Sequence, residues 1–262
     1  MKYFIVDAFA DRVFKGNPAG VCLPEEWPAD EVMQNIAFEN NLSETAFLVK
    51  NDDIYNLRWF SPEMEIDLCG HATLASAFII SNYVDKGAAF MRFSTKSGML
   101  TVTRTDELYE LDFPARKPER IELTEQMRRA VGANILEAHM SRDMLLLLED
   151  ENQVRGLTPD LELIKQIPDC FAIIVTARGE DVDFVSRFFA PGAGVPEDPV
   201  TGSAHCTLIP FWAERLGKDE MVAKQLSKRG GTLWCKNRGD RVKIAGKAAL
   251  YLQGEICDAF SV

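Results

Sequence analysis

The sequence predicts an α+β protein built from two similar halves, and three observations lead to that prediction. Apolar stretches rich in β-branched residues, with Gly, Asp or Pro nearby, recur along all 262 residues, as is typical of strands. Only a few segments have the periodicity of helices. A motif in the first half also has a weaker echo in the second, and a chain of this length suits two domains of ordinary size.

The repeated motif is LRWFSPEMEIDLCGHATLASAF at 57–78, and its echo is SRFFAPGAGVPEDPVTGSAHCTLIPFW at 186–212. The run Arg58 to Pro62 matches Arg187 to Pro191, 129 residues later (187 minus 58). The Gly-His-Ala at 70–72 matches the Gly-Ser-Ala at 202–204 once a three-residue insertion is allowed. Chance can produce short matches, but their common order favours duplication.

Elements follow in order along the chain. We predict a first helix over Ala29 to Phe38, further helices after Gly70 and Gly202, and a short amphipathic helix from Leu123. Pro210 lies inside the second motif helix and is expected to kink it or shift its start. The predicted strands are 3–9, 45–49, 99–104, 108–113, 143–149, 171–175 and 249–256. The halves are 1–116 and 117–262, with a soft boundary at 114–118 and C-terminal residues that can pack on the first half.

Composition excludes several classes of protein. A net charge of −11 argues against a nucleic-acid or anionic-membrane partner, because such surfaces attract basic proteins. No run of eighteen apolar residues could span a bilayer, and the N-terminus does not have the pattern of a secretory signal. Six cysteines without C-x-x-C spacing indicate free thiols in a reducing cytoplasm.

The two Gly turns are candidate anion sites. The first turn of a helix has unpaired N–H groups and a partial positive charge, so a Gly-led turn into a helix can hold a carboxylate. The Cys69-Gly70-His71 triplet could thus be a nucleophile, half of a metal site or an anion cradle, and Gly70 and Gly202 could equally serve only to allow tight turns.

Two carboxylates are candidates for proton transfer. Glu44 lies where the first helix has ended and a strand begins, so partial desolvation could tune its pKa, although most such residues are simply solvated. Asp198 lies in a Pro- and Gly-rich loop and could equally be a turn former. Cys69, His71, His205 and Cys206 lack the usual ligand spacing, so we predict no metal site.

The chain resembles the phenazine-biosynthesis PhzF-like family over essentially its full length. The resemblance rests on VDAFADRVFKGNPAGV, NLSETAFLV, RWFSPEMEIDLCGHATLASA and GVPEDPVTGSAH taken together. It implies the diaminopimelate-epimerase-like fold, with two pseudo-symmetric halves, each a barrel-like mixed sheet around a central helix, and an active site in the cleft between them. It also implies a homodimer and an isomerisation without metal or organic cofactor.

The resemblance assigns roles residue by residue. The candidate site comprises Glu44, His71 and Asp198 as catalytic residues, and Ser43, Cys69, Gly70, Thr201, Gly202 and Ser203 as substrate-binding residues. Diaminopimelate epimerases and proline racemases, in the wider superfamily, use one cysteine from each half. Cys69 stands at the first of these positions, but Thr201 occupies the second, which disfavours a two-thiol mechanism.

The expected protein is therefore a cytoplasmic, cofactor-independent isomerase that moves a proton on a small carboxylate-bearing metabolite, with Glu44 as general acid/base. Two alternatives stay open at this stage. One is an epimerase or racemase that uses Cys69, and the other is a non-catalytic small-molecule-binding or interaction protein. The sequence identifies neither the substrate nor its pathway.

Overall fold

A computed structural model describes residues 1–257, which form two units. The first comprises Met1–Asp112 together with the described chain from Ala245 onward, and the second comprises Phe113–Ile244. The predicted division at 116/117 lies close to the first transition. The chain from Ala245 groups with the first unit because its last strand pairs with the first strand of the protein.

Eighteen strands are present in the described residues: β1 (Lys2–Ala8), β2 (Asn17–Leu23), β3 (Glu44–Asn51), β4 (Ile54–Phe60), β5 (Glu65–Ile66), β6 (Phe90–Thr95), β7 (Gly98–Thr105), β8 (Leu108–Pro114), β9 (Glu119–Ile121), β10 (Ile135–Met140), β11 (Met144–Leu148), β12 (Ile173–Arg178), β13 (Phe184–Ala190), β14 (Val195–Asp198), β15 (Glu220–Gln225), β16 (Gly231–Arg238), β17 (Arg241–Gly246) and β18 (Ala248–Glu255). The α-helices are α1 (Asp30–Asn40), α2 (Gly70–Ile79), α3 (Glu125–Val131), α4 (Glu151–Gly156), α5 (Leu161–Lys165) and α6 (Gly202–Leu216). A π-helical turn (Ile80–Val84) extends α2, and a 3₁₀ turn (Pro191–Ala193) follows β13.

The sheet of the first unit is mixed. Its strands pair in the order β18, β1, β2, β3, β4, β6, β7, β8, and the short strand β5 also pairs with β4. The β2–β3 and β4–β6 pairs are parallel and the others are antiparallel. Parallel neighbours need a crossover connection, and α1 and α2 provide it.

The second unit repeats the first seven strands of this order. Its order is β9, β10, β11, β12, β13, β15, β16, with the short strand β14 on β13. The parallel pairs are β11–β12 and β13–β15, at the positions that correspond to those in the first unit. The sequence echo therefore reflects a repeated topology.

Each unit has one helix that is buried on nearly all sides. In α2 every residue from His71 to Ala77 is buried, and in α6 the same holds from Ala204 to Ala213. A helix that is apolar around its whole circumference must be enclosed by other elements. In the first unit α2 packs against β1, β2, β3 and β18. Among the residues that the structure describes, no helix is long and apolar enough to cross a membrane.

Pro210 is accommodated inside α6 without moving its start. The helix begins at Gly202 and continues to Leu216. Proline cannot donate to the carbonyl four residues earlier, which belongs to Cys206. The backbone N–H of Arg116 donates to that carbonyl instead, at 2.9 Å. The expected shift of the helix start is therefore wrong, because another segment satisfies the orphaned acceptor.

A matched pair of ionic contacts fixes the loops that lead into α2 and α6. Arg58 of β4 donates from Nε and Nη2 to the two carboxylate oxygens of Glu65, at 2.7 and 2.8 Å. Arg187 of β13 makes the same bidentate contact with Glu197, at 2.6 and 3.0 Å. The glutamates are 132 residues apart (197 minus 65), which is the arginine spacing plus the three-residue insertion.

Most of the predicted elements are present. The predicted strands 3–9, 45–49, 99–104, 108–113, 143–149 and 249–256 correspond to β1, β3, β7, β8, β11 and β18. The strand predicted at 171–175 begins at Ile173 instead. The helices predicted at Ala29 and Leu123 are α1 and α3. All six cysteines lie in the described range and are free thiols.

The Arg58–Glu65 pair should make the protein sensitive to acid. Hydrogen bonds from Arg58 lower the pKa of Glu65 to about 2, from an ordinary value of 4.5. A depressed carboxyl pKa gives stability that is complete above the unfolded value and is lost as the pH falls towards the folded value. We expect a loss of roughly 3 kcal/mol at most in the free energy of unfolding between pH 4.5 and pH 2.

The substitution Glu65→Gln should remove this part of the acid sensitivity and lower stability at pH 7. Urea unfolding across the pH range measures both effects. Glu220→Gln is the matched control, since Glu220 pairs with Arg238 at the surface and its side chain is 67% exposed. An acid profile that is the same in wild type and Glu65→Gln would contradict the assignment.

Candidate active site

Glu44 and His71 form the centre of the candidate site in the first unit. Glu44 is the first residue of β3, and His71 is the second residue of α2. The Glu44 Oε2 and His71 Nε2 atoms are 3.1 Å apart. The imidazole side chain is 8% exposed and the carboxylate 20%. Glu44 is therefore held on a buried partner while part of its own side chain is exposed.

Two groups contact the other ring nitrogen of His71. The side-chain amide of Asn17, the first residue of β2, lies 3.4 Å from Nδ1, and the Cys69 thiol lies 3.5 Å from the same atom. A half-turn of an Asn amide exchanges its donor and acceptor. Asn17 can thus donate a hydrogen bond to Nδ1 when that nitrogen has no proton, and accept one from it when it has.

The charge states of the three groups are coupled. Burial raises the pKa of the Cys69 thiol, and the Glu44 carboxylate raises it further, so the thiol is neutral at pH 7. Burial opposes a charge on His71, but its contacts with Cys69 and Glu44 raise its pKa well above the usual 6.5. Because the thiol is neutral, we attribute the rise chiefly to Glu44. His71 is then positively charged at neutral pH.

Glu44, Cys69 and His71 also offer three potential metal-ligand atoms within 4.8 Å of one another. The carboxylate lies by Nε2 of the ring and the thiol by Nδ1, so the two groups approach different edges of the imidazole. A metal ion bound to Nε2 would have the Cys69 thiol on the opposite edge of the ring, and an ion bound to Nδ1 would have the Glu44 carboxylate there. The absence of a metal site stays a prediction.

The start of α2 has open backbone amides. Its N-cap residue is Cys69, whose side chain makes no capping hydrogen bond. The Cys69 carbonyl is braced from within the helix, because the Thr73 hydroxyl donates to it at 2.5 Å. The first-turn N–H groups that begin at Gly70 therefore lack the usual side-chain acceptor and can bind an anion.

The start of α6 repeats this arrangement in the second unit. Its N-cap residue is Thr201, in a similar extended conformation (φ −112°, ψ 101°, against −140° and 111° for Cys69), and it too makes no capping bond. His205 replaces Thr73 as the brace, with Nδ1 donating to the Thr201 carbonyl at 2.8 Å. Burial lowers the pKa of His205 to about 4, so this histidine is neutral and structural.

Asp198 ends β14 and is tied to the same turn. The Thr201 hydroxyl donates to its Oδ2 at 2.5 Å. Gln225, at the end of β15 and 1% exposed, bonds to both residues, and its Nε2 donates to the Asp198 carbonyl at 2.7 Å. Hydrogen bonds from Thr201 and Gln225, both in the second unit, thus fix the position of Asp198.

The structure brings together part of the predicted set in each unit. Glu44, Cys69 and His71 form one group, and Asp198 and Thr201 belong to another. Gly70 begins α2, Gly202 begins α6 with Ser203 after it, and Ser43 directly precedes β3.

Sequence reasoning missed Asn17 and Gln225. Asn17 lies in the GNPAG stretch that contributes to the family resemblance, and that stretch was the available signal. No sequence signal identified Gln225, because a glutamine near the end of a strand is ordinarily exposed to solvent.

Comparison with known proteins shows similarity along nearly the whole chain. The family model described as phenazine biosynthesis-like protein matches residues 6–254. An uncharacterized isomerase of Pseudomonas aeruginosa is 49% identical over 253 residues, which cover 97% of each chain. A crystal structure of a PhzF-family phenazine biosynthesis protein from Enterococcus faecalis is 51% identical, with a TM-score of 0.96 over 97% of this chain and 98% of that one.

A more distant match shows the fold alone. The crystal structure of a probable proline racemase from Agrobacterium radiobacter is 12% identical, with a TM-score of 0.65 over 99% of this chain and 94% of that one. The α+β fold with two related halves is therefore shared with this wider group, as the sequence predicted.

The two buried histidines give a test of the electrostatics that needs no substrate. With ¹⁵N-labelled histidine, we expect His71 to titrate well above pH 6.5 and His205 near pH 4. Glu44→Gln removes the carboxylate, so the burial of His71 should then dominate and its pKa should fall. His205 serves as the internal control and should not change. A His71 titration that is the same in both proteins would show that Glu44 does not set its charge.

Proposed function

Since the chain belongs to the phenazine biosynthesis-like (PhzF-like) family, we propose that it is a cofactor-independent isomerase of a small carboxylate-bearing metabolite. The observation that carries the proposal is the contact of a partly exposed Glu44 carboxylate with the buried His71 imidazole at 3.1 Å. A carboxylate positioned in this way can take a proton from carbon and return it elsewhere on the same molecule.

In this mechanism Glu44 removes a proton from one carbon of the substrate as the double bond shifts, and then delivers it to another carbon. No electrons leave the substrate, so the reaction needs no redox partner. His71 holds the Glu44 carboxylate in place, at 3.1 Å from Oε2. Asp198, in the second unit, is proposed as a further catalytic carboxylate.

Each open helix start is a proposed carboxylate site. The amides at Gly70 in the first unit, and those at Gly202 in the second, provide hydrogen-bond donors and a favourable dipole for an anion. Backbone donors of this kind allow a protein with a net charge of −11 to bind an acidic metabolite. Ser43 and Ser203, next to these elements, are the proposed hydroxyl contacts.

An epimerase that uses Cys69 is the second candidate, because the Cys69 thiol lies 3.5 Å from His71 Nδ1. Only a neutral His71 imidazole can accept the thiol proton. Two features weigh against it: burial raises the pKa of the thiol, and Thr201 stands at the N-cap position that corresponds to Cys69. The homodimer and the cytoplasmic location remain predictions of the sequence.

Two isosteric or near-isosteric variants separate the candidates. Glu44→Gln keeps size but cannot accept a proton, so turnover should fall about 10²- to 10⁴-fold with affinity roughly preserved. Cys69→Ala should stay within about tenfold of wild type, a loss of about 1.4 kcal/mol at most. The assay is a thermal-shift screen of carboxylic acids, followed by solvent deuterium incorporation into each acid that binds.

Glu39→Gln is the control, because Glu39 is an exposed residue at the end of α1. If Cys69→Ala were inactive and Glu44→Gln still exchanged deuterium, the chemistry would belong to the thiol, and the epimerase would replace the isomerase. If wild type exchanged deuterium with none of the acids that it binds, the non-catalytic binding protein would be the better account.

A further inference from the structure

Thr201 is an N-cap residue whose hydroxyl does not cap its helix. Threonine at this position ordinarily accepts a hydrogen bond from the second or third helical N–H, here Ser203 or Ala204. In this protein no such bond is made, and the hydroxyl instead donates to Asp198 Oδ2. The Thr201 hydroxyl, which could compete with an anion for the first N–H groups of α6, therefore makes its hydrogen bond elsewhere.

Gln225 holds Thr201 in this orientation with its whole amide. Its Oε1 accepts the Thr201 N–H at 2.9 Å, and its Nε2 donates to the Thr201 hydroxyl oxygen at 3.2 Å and to the Asp198 carbonyl at 2.7 Å. A half-turn of the amide would set a donor against the Thr201 N–H, so the three bonds define one orientation. Because Nε2 donates to the hydroxyl oxygen, the hydroxyl proton is directed to Asp198.

We propose that Gln225 is a positioning residue that keeps the N-terminus of α6 open by restraining the Thr201 hydroxyl. Without Gln225 the hydroxyl can rotate and cap its own helix, and the amides that it then occupies are no longer available to a carboxylate. The proposal rests on the anion-binding role given to Gly202 under the proposed function. It adds a residue 24 positions after Thr201 (225 minus 201) that controls that role.

Amide hydrogen exchange tests the restraint without any ligand. In Gln225→Met, which removes all three bonds at similar volume, the Thr201 amide should exchange at least about tenfold faster because it loses its acceptor. The Ser203 or Ala204 amide should exchange more slowly because it gains the hydroxyl cap. General loosening of the loop would accelerate all of these amides, and that result would overturn the proposal.

Gln225→Glu is the second variant, for the case that Gln225→Met does not fold. At pH 8 its carboxylate still accepts the Thr201 N–H but has no hydrogen for the hydroxyl oxygen. Slower exchange at Ser203 or Ala204 is expected again, now with the Thr201 amide still protected. Unchanged exchange at both helix amides would overturn the proposal.

Benzoate, a planar carboxylate, tests the consequence for binding. We expect Gln225→Met to weaken benzoate binding about tenfold, since roughly one hydrogen bond to the helix start is lost to the hydroxyl. Thr201→Val has no hydroxyl that could cap, so Gln225→Met in that background should have little further effect, and the double variant should bind within about threefold of the Thr201→Val single variant.

Loss of the Gln225→Met effect in the Thr201→Val background is a result that a merely structural glutamine would not give. Losses that add in the double variant would overturn the proposal. Glu220→Gln, a surface position on the same strand β15, is the control and should bind as wild type. If wild type itself did not bind benzoate, the carboxylate site of the proposed function would be in doubt, and the exchange pattern would still decide the role of Gln225.

Discussion

In each unit, one bidentate arginine–glutamate contact decides where the chain leaves the sheet and enters its buried helix. The arginine lies on a strand of the mixed sheet and the glutamate on the short strand that follows, so the contact closes the loop between them. The helix start, with its open amides, comes four or five residues after the glutamate. The geometry of both candidate anion sites therefore depends on a planar fork that lysine could not replace.

Much of this could be predicted because the relevant signals are local. The alternation of apolar residues in β1, β3, β7 and β8 and the run of leucines in β11 identify strands directly, and the Gly turns mark the starts of α2 and α6. The repeat of RWFSP and RFFAP is also a local signal. In each copy the arginine stacks on an aromatic ring two residues later in the chain, Phe60 for Arg58 and Phe189 for Arg187. The assignment of Glu44 and His71 came from the family resemblance, and the structure places these side chains in contact.

The remainder depends on contacts between residues far apart in sequence. Helices α4 and α5 are only six and five residues long, too short to show a period. Asn17 reaches His71 across 54 residues and Gln225 reaches Thr201 across 24, and neither side chain differs locally from a solvated amide. The acceptor for Arg116 at Cys206 exists only because Pro210 removes the normal donor. Such partners are fixed by tertiary structure, which local propensity does not encode.

The pairing of β18 with β1 has a consequence for synthesis of the protein on the ribosome. The second unit is a continuous segment, and its strand β9 directly precedes the β10 that it pairs with. The corresponding strand of the first unit is β18, which follows the whole second unit in the chain. Until β18 is made, β1 has one unpaired edge, and an exposed edge can pair with another chain. A nascent chain that ends before Ala248 therefore has an edge strand at risk of aggregation.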